Sequence, residues 1–275
     1  MTKFFFIVWC LFLAIVFKAQ SYDIYAIKFG ERKNYVQIAN EVVGDKSGDS
    51  TKVFFMYWLL KGAGKTILVD AGFTEDAGID TSRIIFTRPD KLLAGIGIKP
   101  EEITDIIVTH PHWDHIGGIG LYPQAMVWMQ EEDYMDLIAA KKNPGAKGYN
   151  EKDIQQVLNR KAKGSIKLLK GHRDEVILPG VSVFTGSKHT PGSQYVMASS
   201  GKYNVFIASD NCKYYRNITN MQSSPATSDQ KAYVNNLRMM KVYLLGNTDL
   251  VIPGHDPLVF SKFKTVAKDV VEIKK

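Results

Sequence analysis

Thr109-His110-Pro111-His112-Trp113-Asp114-His115 places three histidines and a carboxylate within six consecutive positions, His110 to His115. Imidazole nitrogen and carboxylate oxygen are the ligands that zinc and related divalent ions favour. Packing is a poor explanation for such a set. Protonated, the rings repel one another; buried, each needs its own hydrogen-bond partner. Three further ligand-type residues stand later in the chain: His189 in Lys188-His189-Thr190-Pro191-Gly192, Asp210 after an apolar segment, and His255 in Pro253-Gly254-His255-Asp256. His172, in Gly171-His172-Arg173-Asp174, reads as a surface residue.

Each candidate ligand needs a rigid element behind it. Ile106-Ile107-Val108 is β-branched and apolar and predicts a buried strand ahead of His110, with Gly117-Gly118 allowing a tight turn after the cluster. Strands are also predicted at 22–29, 52–60 and 66–69, the last ending in Asp70-Ala71-Gly72. Residues 73–100 read as a long loop with short helices that carries Ile84-Ile85-Phe86. A strand at 126–129 and helices at 131–142 and 151–163 follow. Strands at 166–169, 175–178 and 181–185 and a hairpin of 194–199 with 203–208 open the second half. A helix at 228–245, a strand at 250–252 and a helix at 263–273 close it. His189, Asp210 and His255 then each fall at or beside a strand end, where they could converge on the first loop. Strands followed by helices, twice over, suit two sheets packed face to face with helices outside.

The bulk composition agrees with a large core: 275 residues, 45% hydrophobic and 23% charged. Residues 1–21 fit a secretory signal peptide, with Lys3 before an apolar run from Phe4 to Phe17 and small residues at Ala19 and Ser21. An uncleaved anchor is the alternative reading. Residues 22–275 are expected to form one domain, exported to the periplasm or beyond, with no stable membrane insertion after signal removal. Without Cys10, Cys212 has no disulfide partner, and it reads as a buried neighbour of Asp210. The net charge is +7, but no basic block is interleaved with aromatics, so nucleic-acid binding is not expected. Gly64-Lys65-Thr66 lacks the upstream glycine of a phosphate-binding loop.

The His-x-His-x-Asp-His stretch, the later His-Thr-Pro-Gly, Asp210 and the late Gly-His together resemble the metallo-β-lactamase superfamily. The resemblance implies an αββα sandwich and two divalent metal ions, zinc by preference. By that pattern His110, His112 and His189 hold one metal, Asp114, His115 and His255 hold the other, and Asp210 bridges them. Asp70 matches the family's carboxylate that backs the ligands. Within the superfamily the ligand set is similar to that of N-acyl homoserine lactonases. This implies hydrolytic opening of the lactone ring by a hydroxide bridging the two metals, with Asp114 passing a proton to the departing alkoxide. In those enzymes a tyrosine three positions after the bridging Asp meets the substrate carbonyl. Here that position is Lys213, and Tyr214 and Tyr215 follow, so which tyrosine assists, if either, stays open. Trp113 stands where lactonases place an aromatic against the substrate, and with Ile84, Ile85 and Phe86 it is expected to line an acyl-chain pocket. The alternatives are a zinc hydrolase of another ester, a thioester or a β-lactam, and a non-enzymatic binding protein on the same fold. The sequence is silent on oligomeric state.

Overall fold

The computed structural model describes residues 20–77, 80–143, 145–171 and 175–274. The apolar run read as a signal lies at 1–19 and His172 within 172–174, both outside the described residues. The larger sheet runs, in spatial order, through Lys264–Ala267, Val270–Glu272, Tyr22–Arg32, Phe54–Gly62, Lys65–Val69, Asp105–Ile107, Met126–Gln130 and Ile166–Leu169. The second sheet runs through Glu175–Leu178, Val181–Thr185, Gln194–Ser200, Tyr203–Ser209 and Val251–Pro253.

Side chains alternate across the long strands, as the period of two requires. Ile24, Ala26, Trp58 and Leu60 face one core, together with Val183, Val196 and Ile207 of the second sheet. Ile27, Phe29, Tyr57 and Leu59 face the other, under helices Glu131–Lys141 and Glu151–Ala162 through Leu137, Ile154 and Val157. Helix Gln230–Tyr243 packs Tyr233, Leu237 and Met240 into the first core, and Asn236 accepts a hydrogen bond from the Tyr195 hydroxyl at 2.8 Å. The result is the expected αββα sandwich.

Strand direction explains why ligands gather at one end. Lys65–Val69, Asp105–Ile107 and Met126–Gln130 pair in parallel, so Asp70 and the His110 loop leave the same edge. Tyr203–Ser209 and Val251–Pro253 are also parallel, which brings Asp210 and His255 out together.

Three expectations are corrected. Residues 263–273 do not form a helix: Leu258–Lys262 is helical, and Lys264–Ala267 with Val270–Glu272 makes an antiparallel hairpin. Val270–Glu272 continues the larger sheet against Tyr25, Ala26 and Ile27, and its β-branched valines suit that edge. Ile84–Phe86 is not a loop segment but a strand added to Gly30–Arg32. The helix expected from Ser228 begins at Gln230, because the Asp229 carboxylate accepts from Ala232 N at 2.9 Å and caps it.

Candidate metal centre

The first loop turns at Gly117-Gly118, but not through the glycines' freedom at positive φ; both lie at ordinary negative values. The requirement is close approach. A Cβ on Gly118 would run into the Ala71 carbonyl oxygen, and one on Gly117 would stand 2.7 Å from Trp113 O. The loop therefore packs directly on the strand end that carries Asp70. Asp70 (φ 62°), Lys188 (φ 60°) and Ser209 (φ 49°) are left-handed residues beside ligands, a conformation that costs energy in a residue with a side chain.

Asp70 is fully buried and receives four contacts. Its Oδ1 accepts from Thr109 N at 2.7 Å; its Oδ2 lies 2.8 Å from the Thr109 hydroxyl, 3.1 Å from the Ser209 hydroxyl and 2.7 Å from His115 Nδ1. A carboxylate accepts, so His115 carries a proton on Nδ1 and turns Nε2 inward. His255 Nδ1 donates to Phe54 O at 2.8 Å, and His189 Nδ1 to Ala226 O at 2.8 Å. Three histidines thus spend the Nδ1 proton on an oxygen outside the centre, which fixes each ring and exposes Nε2.

These Nε2 atoms converge on the carboxylates and on one another. His255 Nε2 lies 2.8 Å from Asp210 Oδ1 and 3.8 Å from Asp114 Oδ2. His115 Nε2 lies 3.4 Å from Asp114 Oδ2 and 3.6 Å from Asp210 Oδ1. His189 Nε2 is 3.3 Å from Asp210 Oδ2 and 3.2 Å from His112 Nδ1. His110 Nε2, His115 Nε2 and Asp210 Oδ1 are buried without a hydrogen-bond partner. Carboxylates and imidazole nitrogens gathered this closely away from water must share either protons or a cation between them. Ligand atoms converge in three groups: His110, His112 and His189; His110, His115 and Asp210; Asp114, His115 and His255. The donor set fits two divalent ions, with Asp210 between the outer groups.

Electrostatics agree. Burial disfavours a charged His115, yet Asp114 and Asp70 outweigh it and hold its pKa well above the ordinary value. Burial, then the neighbouring His115, pushes His110 well below its ordinary value, and burial lowers His189 to about 3. Asp210 is held well below the carboxylate range, because His255 and His189 outweigh its burial. Asp210 is thus ionised and His110 and His189 neutral, the protonation states that metal binding needs, and an ion entering the centre would displace the extra proton from His115.

Residues 56–255 match the metallo-beta-lactamase superfamily. The chain belongs to that superfamily. An N-acyl homoserine lactonase of Bacillus cereus is 24% identical over 213 residues, 72% of this chain and 80% of its own length. The N-acyl homoserine lactonase AttM of Azorhizobium caulinodans is 26% identical over 180 residues, 62% of this chain and 64% of its own. A solved quorum-quenching N-acyl homoserine lactone lactonase superposes with a TM-score of 0.72 at 20% identity, over 90% of this chain and 97% of its own. The dizinc lactonase AidC, solved with a product, superposes with a TM-score of 0.67 at 16% identity, over 94% and 98%. The fold is shared with both structures.

Around this metallo-beta-lactamase centre the remaining candidates scatter. Trp113 and Ile84 line one cavity of about 410 Å³ with Arg32, Val36 and Arg83. Phe86 packs on Phe73 at a ring distance of 4.9 Å, and Ile85 is exposed. The Tyr215 hydroxyl lies 3.4 Å from Asp249 O, and its ring sits under Lys262. Tyr214 is buried against Ile38 and Val42, with its hydroxyl unpartnered. Cys212 is buried, and burial pushes its thiol pKa up, away from nucleophile chemistry.

Several supporting residues escaped the sequence reading. Asp133 braces the His189 loop, accepting from Thr190 Oγ1 at 3.0 Å and Gly192 N at 2.7 Å. The Tyr149 ring stands edge-on to His112 at 5.5 Å. Phe54 O and Ala226 O orient ligands as backbone atoms, for which no side-chain signal exists. Glu41 pairs with Lys213 at 2.8 Å across 172 positions of sequence; only the unusual lysine was visible beforehand.

Proposed function

We propose that the chain, a metal-dependent hydrolase of this superfamily, opens the lactone ring of N-acyl homoserine lactones with two divalent ions, zinc by preference. The observation that carries the reading is the convergence of the Nε2 atoms of His115, His189 and His255 on the Asp210 and Asp114 carboxylates. The names of the sequence relatives support the substrate class. Divalent ions bound by this set would supply activated water at neutral pH and polarise the lactone carbonyl. The protein's own residues orient and buffer. Asp70 locks His115 through Nδ1, Phe54 O locks His255, and Ala226 O locks His189. Asp114 Oδ2, between His115 and His255, is placed to receive a proton and return it to the departing alkoxide. The cavity between Trp113 and Ile84 offers an apolar wall to an acyl chain. Export, as the N-terminal run implies, would put the enzyme where such signals arrive.

Hydrolysis of short- and long-chain acyl homoserine lactones by zinc-loaded protein, followed by proton release, tests this. Turnover is expected in the wild type, with a loss of at least about 1,000-fold in Asp210→Asn. Two metals per chain with no turnover of any lactone would sink the lactone assignment.

A further inference from the structure

His112 is held differently from the other histidines of the centre. His115, His189 and His255 each give the Nδ1 proton to a fixed oxygen, and His110 Nδ1 lies 3.1 Å from the Thr109 hydroxyl. His112 is turned the other way round. Its Nδ1 faces inward, 3.2 Å from His189 Nε2, and its outer Nε2 has no hydrogen-bond partner among the described residues. A ligand ring without an outer hydrogen bond is free to turn unless packing stops it. Here the packing comes from Gly148 and Tyr149. Gly148 O accepts from Trp113 N at 2.9 Å. A Cβ on Gly148, whose φ is 87°, would run into His112 Cδ2 and stand 2.7 Å from Nε2, so the glycine backbone lies directly on the ring. The Tyr149 ring closes a further side, 5.5 Å away at an interplanar angle of 72°.

We propose that Gly148 and Tyr149 are positioning residues for His112: they set its ring by contact, and so control the metal position of His110, His112 and His189 while leaving that of Asp114, His115 and His255 alone. This rests on the two-metal reading of the centre and not on the choice of substrate. The segment is anchored so that it can bear on the ring. The Tyr149 hydroxyl hydrogen-bonds the Asp136 carboxylate, on helix Glu131–Lys141. Asp133, on the same face of that helix, holds Thr190 and Gly192 beside His189. One helix thus braces both rings that face each other across this metal position. On the other side Asn150 caps helix Glu151–Ala162 by accepting from Lys152 N at 2.8 Å, and its amide donates to Ala77 O. A loop tied to two helices cannot back away from the ring, so one added methyl must tilt His112 instead.

Zinc binding to the full chain tests this, by competition with a chromophoric chelator and by counting the ions retained. Gly148→Ala is expected to weaken one of the two ions about 10- to 100-fold and to leave the other as in wild type. Gly164→Ala is the control. Gly164 is also left-handed (φ 70°) but has nothing within 4 Å of an added Cβ, so its variant carries the backbone cost without a ring contact. Tyr149→Ala is expected to weaken the same ion about tenfold, and Tyr149→Phe, which keeps the ring, to recover most of that. Cobalt-loaded Gly148→Ala should show a changed visible absorption, which follows ligand number and geometry. Equal zinc affinities in Gly148→Ala and Gly164→Ala would overturn the proposal. So would loss of both ions together with a lower melting temperature of the metal-free protein, the result of a merely structural role. Wild type that binds fewer than two ions would overturn the two-metal reading beneath it as well.

Discussion

At the metal centre, four donors come from one six-residue loop and the other three from strand ends of the second sheet. At the mouth, Arg32, Ile84 and Trp113 come from three separate segments. The centre is held by bonds that cannot be exchanged: carboxylate and carbonyl oxygens take the Nδ1 protons, and left-handed residues at Asp70 and Ser209 fix the exits. The mouth is held by ring packing of Trp113 on Phe55 and Phe73. Geometry at the centre is therefore over-determined, while the mouth can be redrawn by single substitutions. Damage to the centre should reach metal binding; damage to the mouth should reach substrate choice.

The largest effect away from the ligands themselves is expected at Asp70. An Asn there keeps the shape but replaces an acceptor with an amide donor, which must face either Thr109 N–H or His115 Nδ1–H. Asp70→Asn should weaken zinc binding about 10- to 100-fold, read by titration against a chromophoric chelator. Unchanged affinity would show that the outer bonds do not set the inner geometry, and the contrast between centre and mouth would collapse.

Asp133 sharpens the comparison from below the His189 loop. Burial raises its pKa to about 7, although Gly192 N and Thr190 Oγ1 both donate to it. The folded state thus holds a proton that the unfolded state releases near pH 4, so this group's contribution makes stability fall as pH rises from about 4 to about 7. Asn can keep both bonds, with its oxygen accepting from one donor and its amide meeting the Thr190 hydroxyl. Melting temperatures of metal-free wild type and Asp133→Asn across that range should diverge with rising pH, in favour of the variant. Parallel curves would remove Asp133 from the account.

The centre was legible in sequence because ligands must be of a few residue types at strand ends, and the superfamily pattern names them. Asp70 was legible for the same reason. The mouth was not, because its parts are set by tertiary packing. Ile84–Phe86 alternates as a strand, so Ile84 faces the cavity, Ile85 faces solvent and Phe86 meets Phe73; three neighbours taken as one apolar lining are divided by the pleat. Glu41 lay too far from Lys213 in sequence to be linked to it. The closing hairpin was misread because Val266, Val270, Val271 and Ile273 also fit a helical spacing, and only the open edge beside Tyr22–Arg32 decides for a strand.

The smallest effect is expected at Tyr214, the first of the two tyrosines that follow Asp210 closely in sequence. Its hydroxyl is buried without a partner, and its ring packs on Ile38 and Val42. Removing an unpaired buried hydroxyl loses no hydrogen bond, so Tyr214→Phe should change stability by no more than about 0.5 kcal/mol, or raise it slightly. Lactone kcat should stay within about threefold, a barrier change below about 1 kcal/mol. If kcat instead falls about 100-fold, the hydroxyl reaches the reacting oxygen.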